Sequence, residues 1–249
     1  GEEYVGARGV GRRGGKVCRL VSVGGVYGHQ RDTRSDKRVF ILTRSALAGQ
    51  QRYGAQSWSG DVVASWEVLR DQIPAALNFT LCGIPYWNSD IGGFYSATHY
   101  PGGTDDPAYR KLYVRWMQFA VCTGMMRSHG TNTPREIFQF GERGDRAFDA
   151  QERMIHLRYR LLPYIYSTAW AITSRGESLM RALYFDFPDD RRGWETGAEY
   201  LFGRSFLVAP VPREDGLRTL YLQSGEPWVD FWTAAPAEGS DGGTEALPD

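Results

Sequence analysis

The chain has 249 residues, with 29 basic and 29 acidic side chains and a formal net charge of zero, so no field draws it to nucleic acid or an anionic membrane surface. Three cysteines, Cys18, Cys82 and Cys122, are too few and too scattered for a disulfide framework, and no segment reaches the roughly 18 uninterrupted apolar residues of a membrane-spanning helix. Aromatics make up 14% of residues, with 8 Trp and 14 Tyr; such a load fills cores and also suits a site that stacks flat ligand faces.

Residues 1–25 lack the apolar stretch of a signal peptide, and GVGRRGGK has neither the helical nor the strand period. A phosphate loop fails here, because Val10 stands where the first Gly is required and Val17 where a Ser or Thr is required. The segment reads as a disordered leader. Residues 26–38 read as a solvated polar connection, with Arg31, Arg34, Lys37 and Arg38 interspersed with acids. Val39–Thr43 is a short apolar run of the kind found in parallel strands buried on both faces. It delivers Arg44 to its carboxyl end, as an ion-pair partner or a substrate clamp.

Trp58-Ser59-Gly60-Asp61 follows in a loop, and Val62, Val63, Trp66, Leu69, Ile73 and Leu77 then recur at helical spacing. Asp61 has two readings: a helix N-cap, which Asp does well, or a carboxylic acid presented at a strand end. The residues alone favour the cap. Leu77–Leu81 with Gly83-Ile84 reads as a second buried strand. The loop Pro85–Phe94 comes next, with Asp90 between Trp87 and Phe94 and a Gly92-Gly93 pair that permits a tight turn. Cys82 and Cys122 lie in apolar runs and read as buried thiols. Asn78-Phe79-Thr80 is formally a glycosylation sequon, but it overlaps the expected strand.

A helix is expected from Pro107 to Cys122, with Tyr109, Leu112, Trp116 and Phe119 on one stripe. Thr123–Met126, as a short strand, would deliver Arg127-Ser128-His129-Gly130. A lone histidine is more often structural than a ligand, and no second His or Cys stands at a metal-ligand spacing, so no metal or cofactor is expected. Asp145–Ser174 reads as a long helix that Pro163 should kink or split, with His156 as a packing residue. YLFGRSFLVAPV, GLRTLYLQSG and PWVDFW then suggest an antiparallel β module, and the tail APAEGSDGGTEALPD is expected to fray.

Strand, loop and helix thus repeat about three times before the β segments. The fold class is α/β: the later part of a (β/α)₈ TIM barrel over residues 26–178, then an antiparallel β domain over 179–249, with 1–25 unassigned. A whole barrel takes about 250 residues, so the chain reads as a fragment. An open half barrel should expose strand edges and apolar surface.

The ordered segments VFILTRS, WSGD, SWEVLRDQIPAALNFTLCGIPYWNSDIGGF, RWMQFAVCTGMMRSHG, RYRLLPYIYS, FDFPDD, YLFGRSFLVAPV and PWVDFW resemble glycoside hydrolase family 31, which includes retaining α-glucosidases and α-xylosidases. WSGD, IPYWNSDIGGF and RSHG are most similar to bacterial α-xylosidases. The resemblance covers about residues 26–235. It implies cleavage of terminal α-linked sugars from an oligosaccharide or α-glycoside by a two-carboxylate double displacement, with no cofactor. Asp61, in the W-x-G-D position, would be the general acid/base. Arg44, in the T-R-S position, would hydrogen-bond the sugar, and His129 with Arg127 would contact its hydroxyls. Asp90 would order the pocket and Arg127, with Trp58 and Phe94 as walls. An acid in this role has to hold its proton near neutral pH, which burial and a neighbouring carboxylate favour.

The family's nucleophilic aspartate lies upstream, at a strand end. Glu2, Glu3, Asp32 and Asp36 lie in polar surroundings with no strand before them, so this chain is expected to lack the nucleophile and to have little or no activity alone. Three alternatives stay open: an α-glucosidase of the same family, a non-catalytic carbohydrate-binding remnant keeping Arg44, Asp90 and His129, and a barrel enzyme of another chemistry.

Overall fold

Residues 11–237, with side chains from residue 17 onward, are described by a computed structural model. Residues 11–33, expected as a leader and a polar connection, form helix α1 (Gly11–Thr33). The reason is tertiary. Val23 is buried, the Tyr27 ring lies 5.7 Å from that of Tyr53, and a Cβ at Gly24 would come within 3.1 Å of the same Tyr53 ring. A glycine-rich sequence with no apolar stripe gives no local signal for such a helix. The first ten residues of the expected leader, and residues 238–249 of the expected frayed tail, lie outside the described residues.

Three short strands follow: β1 (Ile41–Thr43), β2 (Ala55–Trp58) and β3 (Trp87–Asn88). They pair in parallel in that order, Thr43 beside Ser57 and Trp58 beside Asn88. The chain passes from β1 to β2 through a 3₁₀ turn (Gln50–Tyr53) and from β2 to β3 through helix α2 (Trp66–Leu81). β1 is only half-buried and Phe40 before it is exposed, so the expected burial on both faces does not hold. Val39, Phe40, Tyr86, Met125 and a face of the long helix carrying Tyr159 and Leu162 border a groove of about 720 Å³ on this side. Phe40, Tyr159, Tyr166 and Trp170 are exposed there or nearby along that helix, the apolar surface anticipated for an open barrel face.

Helix α2 corrects two expectations. Its N-cap is Ser65, whose Oγ accepts from the Val68 amide at 3.1 Å, and not Asp61. Its C-terminus absorbs the expected strand at 77–81, because the buried stripe Leu69, Ile73, Ala76, Leu77 and Thr80 keeps helical spacing. The stop is a Schellman motif: Gly83, at φ 74°, donates to Thr80 O at 3.0 Å and Ile84 donates to Phe79 O at 3.0 Å. Cys82 is therefore an exposed cap residue and not a buried thiol, and Asn78 of the sequon is exposed on a helix. Cys122 is partly buried, and burial pushes its thiol up to about 12.

Helix α3 (Pro107–Ala120) starts as its sequence dictates: Asp106 caps the Ala108 amide at 2.8 Å and Pro107 takes the first turn. Tyr109, Leu112, Trp116 and Phe119 are fully buried along it. Residues 123–126 form a bend and irregular backbone rather than the expected strand. Arg158 donates to the carbonyls of Val121, Thr123 and Gly124 at 2.8, 2.8 and 3.2 Å, so a side chain replaces the ladder. Helix α4 (Arg146–Arg175) runs unsplit through Pro163, and His156 on it is exposed rather than packed.

The β module comprises an antiparallel sheet of β4 (Met180–Ala182), β5 (Tyr200–Phe202) and β6 (Phe206–Val208), and a pair β7 (Trp228–Val229) with β8 (Pro236–Ala237). Between β4 and β5 lies the short helix α5 (Arg191–Glu195). Residues 216–225, expected as a strand, join no ladder; the Tyr221 amide instead reaches the buried Glu199 carboxylate at 3.2 Å. Leu179, Met180, Tyr200 and Phe202 enter the same apolar cluster as α2, α3 and α4. Tyr200 donates to Cys122 O at 2.9 Å and Tyr164 to Phe202 O at 2.8 Å. The two parts therefore share one core.

The loop after β3 is held by close backbone approach. Gly93 has φ 74°, and a Cβ there would lie 2.6 Å from the backbone of Ala64. Gly93→Ala combines left-handed strain with a collision against main chain, so it is expected to cost about 2 kcal/mol or more. Urea unfolding of the chain measures this; a midpoint equal to that of the unsubstituted chain would refute the close approach.

Candidate active site

The carboxyl ends of β1, β2 and β3 carry Arg44, Trp58 and the Asp90–Phe94 loop to one side of the parallel sheet. β1 ends at Thr43, so Arg44 is the next residue, exposed and extended toward the turn after β2. Gly60, at φ 83°, reverses the chain after Trp58 and sets Asp61 opposite that guanidinium. Arg44 and Asp61 form an ion pair through Nη2 and Oδ2, with the Asp61 side chain 30% and the Arg44 side chain 57% exposed.

The segment after Asp61 is stitched to the loop after β3. Phe94 and Tyr95 both donate to Val62 O, at 2.7 and 3.0 Å, and Ala64 donates to Tyr95 O at 3.1 Å. Asp61 and the Asp90–Phe94 loop therefore form one backbone unit.

Asp90 is fully buried, and its Oδ1 accepts from Arg127 Nη1 at 2.5 Å. Its Oδ2 has no hydrogen-bond partner among the described residues. Burial pushes this carboxyl up to about 6, against the opposing pull of the Arg127 and Arg135 cations. The Ile91 amide donates to Arg127 O at 3.1 Å, which ties the segment after α3 to this loop.

The Trp58 ring is within cation–π reach of two guanidiniums, 5.8 Å from Arg44 and 5.7 Å from Arg127. His129 is exposed, with its ring 5.4 Å from Phe94. Partial desolvation, then the Arg127 and Arg135 cations, hold His129 below the usual imidazole range. The shift favours the neutral ring, which has one nitrogen to donate and one to accept.

All seven residues singled out in the sequence thus meet on one side of the molecule: Arg44 with Asp61, both arginines with Trp58, Arg127 with Asp90, and His129 with Phe94. Sequence reasoning missed Arg135. It donates to the carbonyls of Ile91 and Phe94, 44 and 41 residues away, and no local pattern marks it. The arrangement offers one partly exposed carboxyl group, two cations, a neutral imidazole and two aromatic faces, the requirements of a site for a polyhydroxylated ring. Among the described residues no group of His, Cys, Asp and Glu is placed to hold a metal ion, and no helix is long and apolar enough to cross a membrane.

Two family models match the chain. That of the glycosyl hydrolases family 31 TIM-barrel domain covers residues 18–168, and that of the glycosyl hydrolase family 31 C-terminal domain covers residues 176–248. The chain is 46% identical over 224 residues to an α-xylosidase of Saccharolobus solfataricus, covering 88% of this chain and 29% of that protein. It is 35% identical over 206 residues to α-glucosidase 2 of Bacillus thermoamyloliquefaciens, covering 82% of this chain and 24% of that protein. The α-xylosidase of Xanthomonas citri superposes with a TM-score of 0.87 at 40% identity, over 92% of this chain and 25% of its own. A dextranase of Flavobacterium johnsoniae, solved with glucose, superposes with a TM-score of 0.87 at 30% identity, over 96% of this chain and 29% of its own. The chain thus spans less than a third of the length of these relatives.

Proposed function

Because the chain belongs to glycosyl hydrolase family 31, we propose that the whole protein of which it is part is a retaining α-glycoside hydrolase, with an α-xyloside as its preferred substrate. The observation that carries this reading is the single constellation at the strand ends, in which Asp61 stands at the rim paired with Arg44, and Arg44 and Arg127 both meet the Trp58 ring. The higher identity to an α-xylosidase, 46% against 35% for an α-glucosidase, favours the xyloside.

In the proposed reaction Asp61 protonates the leaving oxygen and later takes a proton from the water that releases the sugar. Arg44 is paired with this carboxyl, so the guanidinium has to give up that partner before Asp61 meets the leaving oxygen. At 57% exposure the guanidinium has room to turn toward the sugar's hydroxyls when they arrive. Neutral His129 and the outer nitrogens of Arg127 bind further hydroxyls. Asp90 sets the direction of Arg127, and Trp58 and Phe94 pack against the apolar faces of the ring.

Retention requires a second carboxyl group about 5–5.5 Å from the first, acting as nucleophile. Asp90 feels the charge of Asp61, but it is fully buried and bonded to Arg127, so it is not placed for attack. We therefore assign the nucleophile to a part of the whole protein that this chain does not contain. The purified chain is expected to show no turnover of p-nitrophenyl α-xyloside or α-glucoside. Steady turnover that disappears in Asp61→Ala would show that the nucleophile lies within these residues.

A further inference from the structure

We propose that Arg135 is a positioning residue of this sugar pocket, clamping the Asp90–Phe94 turn to the segment that carries Arg127 and His129. The assignment rests on the reading of this constellation as the sugar site. Arg135 Nη1 donates to Ile91 O at 2.8 Å and Nη2 to Phe94 O at 3.3 Å. These two carbonyls flank Gly92 and Gly93, both at positive φ. A single planar fork therefore spans the turn from one side to the other, which a lysine's point charge cannot do.

The guanidinium has two further neighbours. Its Cζ lies 5.9 Å from the ring centroid of buried Tyr109 on α3. It also lies against Gly130, where a Cβ would collide with Arg135 Nη2. Gly130 thus leaves the space that the Arg135 guanidinium occupies. Three backbone bonds complete the junction: Ile91 N to Arg127 O at 3.1 Å, Gly93 N to Asp90 O at 2.9 Å, and Thr131 N to Phe94 O at 3.1 Å. Without Arg135, Ile91 O loses its side-chain partner and Phe94 O keeps only the Thr131 amide.

Charge makes Arg135 more than a strut. Its cation opposes the burial that disfavours ionised Asp90, and it acts with Arg127 to disfavour the charged form of His129, while Asp61 acts in the opposite sense. Among the groups that Arg135 influences are Asp90, which orients Arg127, and His129, which meets the sugar in the proposed reading.

The test uses hydrogen exchange and histidine NMR on the 249-residue chain, with no sugar present. In Arg135→Met, the Ile91, Gly93 and Thr131 amides should exchange at least about ten-fold faster while the amides of α3 keep their protection. The His129 titration midpoint should rise in the same variant. Arg135→Lys should restore that midpoint but leave the loop amides fast. Gly130→Ala, which drives a methyl group into the guanidinium, should loosen the same amides with Arg135 still present. Unchanged loop exchange, equal acceleration throughout α3, a fixed His129 midpoint in Arg135→Met, or full loop protection in Arg135→Lys would each overturn the proposal. Whether the pocket takes a sugar is decided separately by turnover of α-xylosides in the whole enzyme, and a failure there leaves the exchange results standing.

Discussion

Asp61→Asn in the whole enzyme is expected to lower turnover of alkyl α-xylosides by about 10²–10⁴-fold, the usual span for loss of a general acid/base. The amide keeps the shape of the side chain and can still face Arg44 with its oxygen, so the frame around the site should persist. What is lost is the proton for the leaving oxygen and the base for the attacking water. Activated aryl xylosides, whose leaving groups depart without protonation, should lose less in the first step. Azide, which attacks without a base, should then restore turnover and yield the α-glycosyl azide. A variant with near-normal turnover would remove Asp61 from the chemistry. A variant that azide fails to rescue, with activated and alkyl substrates falling equally, would make Asp61 a structural partner of Arg44 only.

Asp90→Ala is expected to destabilise the chain by about 3 kcal/mol, because it removes one partner of a buried ion pair. Arg127 would be left beside a cavity with its direction unset, and Trp58 would lose the fixed cation on that side. Arg127 is 23% exposed, so solvent recovers part of the loss. Asp90→Asn should cost less, since the amide oxygen still accepts from Arg127 and no charge is buried.

The same carboxyl gives a pH dependence of definite sign. With the folded carboxyl at about 6 and an ordinary carboxylate at about 3.9, the folded chain takes the proton before the unfolded chain does. The stability contributed by this group is therefore fully present below about pH 4 and is lost as pH rises through 6. Denaturant midpoints measured from pH 4 to 7.5 should fall more steeply with pH in the unsubstituted chain than in Asp90→Asn. Parallel curves would show that Asp90 is ionised throughout that window.

Several elements were legible because their determinants are local. The stripe Tyr109, Leu112, Trp116 and Phe119 fixes the buried face of α3, and Asp106-Pro107 fixes its start. Other elements were not. The run 77–81 is apolar at 77, 79 and 81 with Asn78 and Thr80 between, and so short a run fits a strand or part of a helix equally well. The Schellman stop at Gly83 decided it. Helix α1 was invisible because its stabilising contact is a tyrosine pair with the 3₁₀ turn, and residues 123–126 form no ladder while Arg158, from a distant helix, satisfies the Thr123 and Gly124 carbonyls.

For the site, the amino-acid sequence by itself determined which side chains are present, and through ordered motifs it marked Asp61, Arg44, Asp90, Arg127, His129, Trp58 and Phe94. It could not decide whether Asp61 caps a helix, because Asp and Ser are both good caps and both precede the run. Only the tertiary structure assigned the cap to Ser65 and left Asp61 facing Arg44. Nor does a linear pattern reveal a guanidinium that reaches carbonyls more than forty residues away, as Arg135 does. Local propensity and side-chain chemistry are written along the chain. Burial, ion pairing and the direction of each group arise only when distant segments close around one another.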